Sequence, residues 1–211
     1  TPYLEADGGA WAKQMYPNAV DLMKVDSKVY AIPVTLNNMQ VTLNKGLLKE
    51  YGLKEPETTD DLIEMASKLK NTGVAPIAFG IADKWSGVDL FVVLVWQLGG
   101  GDILHKADKG KASWTDPIFI KVMETIKSLV DAGVAFEGAT AMAYHEDALP
   151  VWVQGNTIML WPGGNFMIQD IPEEMDADAI WFPVISGKER VLTGGVAYSF
   201  GASSTSKYRD L

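Results

Sequence analysis

The stretch KVYAIPVTLNNMQVTLNKGLLKEYGLKEPETTDDL, residues 28–62, decides how this chain folds. Its pattern predicts a strand at Val29–Ile32 that ends at Pro33, and a second strand at Met39–Leu43. A short helix and a loop follow, and then Thr58 lies three residues before Asp61, the spacing of a capping box at a helix start. The order strand, polar break, strand, short helix, loop, capped helix indicates that the chain crosses between structural units here.

Outward from this stretch, strands alternate with helices of about a dozen residues. The helix that Thr58 or Thr59 can cap has Leu62, Ala66 and Leu69 on one face and ends at Gly73. Further helices are predicted at Leu90–Leu98, from Asp116-Pro117 to Gly133 with a stripe of Ile118, Val122, Ile126 and Leu129, and at Glu146–Gln154. Further strands are predicted at Val74–Phe79, Thr157–Trp161, Ile180–Val184 and Val196–Ala202.

Such alternation predicts an α/β fold with a largely parallel sheet. Ligands bind to sheets of this kind beyond the carboxyl ends of the strands, where loops meet. The glycine-rich loops after Phe79, Trp161 and Val184 are therefore the places where a site is expected.

The composition excludes or disfavours several classes of function. The chain has 211 residues, 18 Lys and Arg against 27 Asp and Glu, and a net charge of −9, which disfavours binding to nucleic acid or to an anionic membrane. It has no cysteine, which excludes thiol catalysis and thiolate metal sites. Thr1 is not an initiator and Ser203–Leu211 stops where a helix pattern begins, so we expect the chain to be part of a longer protein.

The usual catalytic groupings are absent from the sequence. The only two histidines, His105 and His145, form no zinc-binding pair, and no nucleophile elbow or phosphate-binding loop occurs. Asp102, Asp108 and Gly110 depart from the spacing of a calcium loop and are interpreted as a solvated turn. The neighbouring acids Asp60-Asp61 and Glu146-Asp147 are interpreted as charges at helix N-termini, and Glu146 or Asp147 could instead accept a ligand hydroxyl.

Aromatic and amide side chains at element ends remain, and together they suit a neutral polyhydroxylated ligand. Each has an alternative structural explanation. Trp161 could be a core residue, Phe166 a core or domain-interface residue, and Trp85 a turn residue packed on its own helix, while Asn165 could hold a positive-φ turn beside Gly164. The candidate ligand-binding residues on these grounds are Asn37, Asn38, Trp85, Trp161, Asn165 and Phe166.

An ordered series of motifs resembles the family 1 extracellular solute-binding proteins, the sugar receptors of ABC importers. Lys28–Pro33 matches the family's Lys-Val-Tyr-Gly-Ile-Pro strand with Ala31 in the glycine place, and Pro56–Leu62 matches its Pro-x-Thr-Trp-x-Glu-Leu pattern. Two aromatic positions of the family are altered, at Leu43 and Phe166. The remaining matches are Asn44-Lys45, Leu47-Leu48, Leu149–Met159, Gly163–Phe166, Thr193–Gly195 and Ser203–Lys207.

The resemblance implies a periplasmic-binding-protein-like (type II) α/β fold, in which two lobes joined by crossing strands close on the ligand. Residues 1–33 would be a piece of the first lobe, 34–185 the nearly complete second lobe, and 186–211 a return piece of the first. Trp85, Trp161 and Phe166 would stack on sugar faces. Hydrogen bonds to hydroxyls would come from Asn37, Asn38 and Asn165 and from backbone amides near Gly163 and Gly195. Glu146, singled out above from its position, completes the set of expected ligand-binding residues.

The implied function is that of a non-enzymatic, extracytoplasmic receptor for a mono- or oligosaccharide. It would be a monomer without a cofactor, its partners would be the sugar and the importer's transmembrane subunits, and a lipid anchor would be its only link to the membrane. Two alternatives stay open: a receptor for another small solute, such as a polyamine or an anion, and a secreted glycoside hydrolase, which would need two carboxylates facing each other across a cleft.

Overall fold

The computed structural model describes residues 8–207, in which helices and strands alternate as predicted. The helices are α1 (Pro17–Asp21), α2 (Lys45–Glu50), α3 (Thr59–Leu69), α4 (Trp85–Gln97), α5 (Gly101–Asp108), α6 (Pro117–Asp131) and α7 (Leu149–Val153). The strands are β1 (Lys24–Val25), β2 (Lys28–Val29), β3 (Ile32–Asn44), β4 (Ala75–Phe79), β5 (Thr157–Gly163), β6 (Ala177–Ile180) and β7 (Thr193–Phe200). A π-helix covers Tyr144–Ala148, and short 3₁₀ helices lie at Ala12–Gln14, Ala139–Ala141 and Asn165–Asp170.

The chain divides into two compact units. The larger unit is Met39–Thr193, and the smaller unit combines the residues up to Asn38 with those from Gly194 onward. In the smaller unit, β1 and β2 form a hairpin around Asp26 and Ser27, both with positive φ, as in tight two-residue hairpin turns. The predicted lobe boundaries at residues 33 and 185 stay a prediction. The helix pattern predicted beyond Ser203 runs into residues 208–211, outside the described residues.

The first predicted strand pair is wrong in its detail. Instead of two strands separated by a polar break, β3 is one strand of 13 residues that runs straight through Asn37 and Asn38. Pro33 does not end a strand but is the second residue of β3, because proline is tolerated where a strand begins.

The sheet is mixed rather than largely parallel, which corrects the second expectation. Its order is β4-β5-β3-β6, with β7 also paired to β3. β4 and β5 are parallel, with Phe79 opposite Trp161, whereas β3 is antiparallel to both β5 and β6. On the outer side of β4, Ile77 forms a parallel bridge with Ala135.

Both faces of the β4–β5 pair are buried in the larger unit. Ile77 and Phe79 belong with Met159 and Trp161 to a core that also contains residues of α3, α4 and α6. Ala78 and Leu160 point to the opposite face, where they join a second core with Tyr144, Trp152 and Met167. This burial on two faces explains why Val74–Phe79 and Thr157–Trp161 are nearly uninterrupted apolar runs in the sequence.

The capping box at α3 is confirmed. The Asp61 N–H donates to Thr58 Oγ1 at 3.2 Å, and the Thr58 N–H donates to Asp61 Oδ2 at 2.8 Å. The predicted stripe is also confirmed, since Leu62, Ala66 and Leu69 are all buried. At α6 the predicted start is confirmed as well, because Asp116 Oδ1 accepts a hydrogen bond from the Ile118 N–H at 3.0 Å.

Replacing Thr58 by alanine removes the N-cap acceptor of α3, so we expect the free energy of unfolding to fall by about 1 kcal/mol. Urea denaturation of the two proteins measures the difference. Ser67→Ala, an exposed change within the same helix, is the matched control and should have almost no effect. Equal effects of the two changes would contradict a capping role for Thr58.

The capping box should also make stability depend on pH. The pKa of the Asp61 carboxyl lies below its usual value because the Thr58 side chain, and then the backbone N–H groups of Thr58 and Glu57, bind the ionised form. A lowered folded-state pKa adds stability that is complete above the unfolded-state pKa of about 3.9 and is lost as the pH falls through the folded-state value. The stability difference between the wild-type protein and Asp61→Asn should therefore shrink in acid, and denaturation at neutral and acidic pH tests this.

Candidate functional site

Two of the predicted aromatic residues lie just beyond the carboxyl ends of neighbouring parallel strands. Trp85 is the first residue of α4, which follows β4, and Phe166 lies in the 3₁₀ helix that follows β5. Because β4 and β5 pair in parallel, their carboxyl ends share one edge of the sheet, the place where α/β proteins bind ligands. The structure places Trp85 in the first turn of α4.

These two residues meet a third ring, and together they form what we call the aromatic cluster, Trp85, Tyr144 and Phe166. The Trp85 ring centroid lies 5.3 Å from that of Tyr144 and 6.2 Å from that of Phe166, and the ring planes are inclined by 60° and 74°. Such tilted and edge-on contacts are favourable for aromatic pairs. Tyr144 is fully buried and Phe166 partly buried, whereas Trp85 is 37% exposed, so Trp85 is the ring of the cluster with the most free surface.

Tyr144 was missed by the sequence analysis. Its hydroxyl donates to Met167 Sδ at 3.4 Å, and burial first, then the charge of Asp170, raises the pKa of the phenol, which therefore stays neutral. A Cβ on Gly80 would come within 2.5 Å of the Tyr144 Cα, so only glycine at position 80 lets the two backbones approach this closely. Gly80, directly after a buried strand, was the available signal for such an approach.

The stacking role predicted for Trp161 is wrong. The Trp161 side chain is fully buried, its Nε1 donates to the carbonyl of Ser86 at 3.0 Å, and its ring packs edge-on against Phe182 at 4.9 Å. A ring with no exposed face cannot stack on a sugar. The core alternative applies to Trp161, which supports the first turn of α4 from beneath.

The turn after β5 serves the packing of the sheet. Gly163 is opposite Gln40 in the ladder, and a Cβ there would lie 2.5 Å from the Thr42 N, so the close approach of β3 requires glycine. Gly164, not Asn165, has the positive φ, so the alternative that Asn165 holds such a turn is wrong. Asn165 is exposed and begins the 3₁₀ helix that carries Phe166.

The acids near the cluster differ in their surroundings. Asp147 Oδ2 accepts a hydrogen bond from the Ala143 N–H at 2.8 Å, at the start of the π-helix, while Glu146 is exposed beside it. Asp89 lies one helical turn after Trp85 on the same face of α4, and partial burial raises the pKa of its carboxyl. Asp89 was not singled out by the sequence analysis.

The other predicted residues lie in the smaller unit. Asn37 and Asn38 are partly exposed residues of β3, and Gly195 is an exposed residue of β7. At the start of β7, a Cβ on Gly194 would come within 3.0 Å of the Asn38 Cα, so glycine is needed there for the packing of the strand. The ligand-binding roles of Asn37, Asn38 and Gly195 stay predictions.

The described residues offer no constellation for metal chemistry. Within residues 8–207, no group of three or more His, Asp or Glu side chains is arranged to hold a metal ion. The predicted solvated turn at Asp102 is wrong, because Asp102 and Asp108 are the second and last residues of α5. In the same range, no helix has both the length and the apolar character that crossing a membrane requires.

Solved structures share this fold over almost the whole of the chain. A structure from a study of xylan utilization by Caldanaerobius polysaccharolyticus is 27% identical in sequence and superimposes with a TM-score of 0.86 over 99% of this chain and 54% of its own. A chitin oligosaccharide binding protein is 26% identical, with a TM-score of 0.84 over 100% of this chain and 53% of its own. The predicted periplasmic-binding-protein-like α/β fold is therefore confirmed.

Curated relatives agree with the structural neighbours. An uncharacterized ABC transporter extracellular-binding protein of Pyrococcus horikoshii is 30% identical over 81% of this chain and 40% of its own length. The melibiose/raffinose/stachyose-binding protein MelE of Bacillus subtilis is 25% identical over 91% of this chain and 47% of its own. The chain thus spans about half the length of the relatives it matches.

The family assignment rests on the whole sequence. The model of the bacterial extracellular solute-binding protein family matches residues 1–211. This match confirms the predicted resemblance and, with it, the extracytoplasmic location that the family's description carries. The chain belongs to the family of bacterial extracellular solute-binding proteins.

Proposed function

We propose that this chain is part of the substrate-binding component of a carbohydrate ABC importer, and that the larger unit stacks one sugar ring on Trp85. One observation carries the proposal: a partly exposed tryptophan is held against two further rings at the carboxyl ends of adjacent parallel strands. A flat apolar face suits the C–H-lined face of a pyranose, and the contacts with Tyr144 and Phe166 keep it in place.

Hydrogen bonds to the hydroxyl groups would come from polar side chains and backbone amides. In the larger unit the exposed Asn165 and Glu146 stand on the two segments that carry Phe166 and Tyr144. Asn37, Asn38 and Gly195, in the smaller unit, are proposed to contribute as the family resemblance implies. The two units would correspond to one nearly complete lobe and to pieces of the other.

The size of the ligand is proposed from the relatives. Those described above include proteins named for melibiose, raffinose, stachyose and chitin oligosaccharide, which contain from two to several sugar units. An oligosaccharide is therefore the preferred ligand class over a monosaccharide. The partners would be this sugar and the importer's transmembrane subunits, and the protein would act as a monomer.

A binding role is preferred over hydrolysis. Two of the acids near the aromatic cluster are engaged in structure: Asp147 accepts a backbone hydrogen bond, as does Asp83. Neither is presented as one of two free carboxylates facing each other, which glycoside hydrolysis requires. Incubation with oligosaccharides should release no product, and turnover above background would contradict the receptor proposal.

Trp85→Ala should weaken oligosaccharide binding by about tenfold. A tryptophan offers about 150–250 Å² of surface, and covering the exposed third of it at about 25 cal/mol per Å² contributes on the order of 1.5–2 kcal/mol. Isothermal titration calorimetry with xylotriose, N,N′-diacetylchitobiose and raffinose measures the affinity, and a thermal melt measures stability.

Trp114→Ala is the matched control. Trp114 is also an exposed tryptophan, 57% exposed, but it lies just before α6 and outside the aromatic cluster. Its ring packs on Phe119 of α6. It should leave sugar affinity unchanged. A Trp85→Ala protein that melts lower but keeps its affinity would remove Trp85 from the site.

A further inference from the structure

The segment that joins β4 to α4 contains a strained turn directly before Trp85. Lys84 has φ 68° and ψ −41°, and the Trp85 N–H donates to the carbonyl of Asp83 at 2.8 Å. A hydrogen bond that closes over one central residue with such angles is a γ-turn of the rare, positive-φ type. For a residue with a side chain this backbone is unfavourable, and it persists only where the surrounding structure holds it.

Asp83 connects this turn to Tyr144, the fully buried ring of the cluster. While its carbonyl accepts from the Trp85 N–H, its carboxylate Oδ2 accepts from the Tyr144 N–H at 2.7 Å. Asp83 is thus bonded at the same time to the backbones of the two residues whose rings stand 5.3 Å apart. No other residue of the described chain is shown to bond to both backbones.

The hydrogen bonds that precede Asp83 bring the two segments into register. The Ile81 N–H donates to the Ala139 carbonyl at 3.2 Å, and the Ala82 N–H donates to the Met142 carbonyl at 2.9 Å. The Asp83 carboxylate makes the last connection of this series, and it is the only one made by a side chain. Removing that side chain would therefore free the Tyr144 end of the series without breaking the rest.

We propose that Asp83 is the positioning residue of the aromatic cluster, fixing Trp85 through its carbonyl and Tyr144 through its carboxylate so that Trp85 presents a preformed face. The functional part of this inference rests on the proposed sugar-binding role of Trp85. A ring that is already ordered loses less conformational freedom when a ligand covers it, so the clamp would raise affinity without touching the sugar. A carboxylate suits this task because hydrogen bonds to a charged acceptor are stronger than neutral ones.

The positioning role is tested first in the sugar-free protein. The near-ultraviolet circular dichroism of the protein minus that of its Trp85→Phe variant reports how rigidly the Trp85 ring is held. Asp83→Ala keeps the carbonyl bond to the Trp85 N–H but frees the Tyr144 segment against which the Trp85 ring packs, so it should clearly reduce this difference signal. Asp83→Asn, whose amide oxygen can still accept from the Tyr144 N–H, should restore it, and Lys84→Gly should keep it while melting no lower, because glycine adopts a positive φ without strain.

The control is Asp116→Ala, which removes another carboxylate that accepts a backbone hydrogen bond, at the start of α6. It should lower the melting temperature and leave the Trp85 signal intact. Should Asp83→Ala not fold, Asp83→Glu decides, because it keeps the charge but displaces the carboxylate by one methylene and should also reduce the signal. An unchanged signal in the folded Asp83 variant overturns the proposal, whatever the protein binds.

Sugar titration then separates this proposal from the proposed function. With xylotriose, N,N′-diacetylchitobiose and raffinose as probes, Asp83→Ala should weaken binding by up to about tenfold, the cost of ordering one side chain when the ligand covers it. A reduced signal with unchanged affinity overturns the role of Asp83 in binding. If the wild-type protein binds none of the probes, the proposed function fails for these sugars, while the dichroism still decides whether Asp83 positions the rings.

Discussion

The parallel pairing of β4 with β5 is the constraint on which the larger unit depends. It sets Phe79 opposite Trp161 and thereby brings the segments after both strands to one edge of the sheet. Both faces of the pair are buried, so a register shift of one residue would move each side chain from one core into the other. The register is therefore fixed. The position of α4 relative to the 3₁₀ helix after β5, and so the meeting of Trp85 with Phe166, follows from this register.

The edge of the sheet at the ends of β4 and β5 also depends on glycines, because other segments approach the backbone closely there. Gly80 admits the Tyr144 backbone next to the end of β4, and Gly163 admits Thr42 of β3 next to the end of β5. Each glycine therefore lets one more segment approach a strand end. The third ring of the cluster is present because position 80 has no side chain.

The sequence predicted those features of the fold that residues close together in the chain determine. Thr58 with Asp61 and Asp116 with Pro117 located the starts of α3 and α6, since a cap is formed by residues within one turn of each other. The direction of the strands could not be predicted in this way. Whether β3 runs with or against β5 depends on residues more than a hundred positions apart, and a single long β3 across Asn37 and Asn38 depends on strand partners that the segment itself does not reveal.

In the candidate site, too, the sequence predicted the features that local residues decide but not those that distant residues decide. Trp85 and Trp161 both stand at element ends in the sequence, yet one is partly exposed and the other is fully buried, because Ser86 and Phe182 enclose the Trp161 indole. Tyr144 escaped notice since nothing near it in sequence connects it to Trp85. Their contact is created by Asp83 and Gly80, which lie about sixty residues earlier in the chain.

The bridge between Ile77 and Ala135 affects how readily the protein could aggregate through its sheet edge. An open strand edge is a template onto which another chain can add a strand, the first step of β-aggregation. Here the Ile77 N–H donates to the Val134 carbonyl and the Phe136 N–H donates to the Ile77 carbonyl, at 3.0 and 2.9 Å, so the outer side of β4 is already occupied. At the far side of the larger unit, β6 is only four residues long and carries Asp178, which makes it a poor template. Both margins of this unit's sheet therefore resist strand addition.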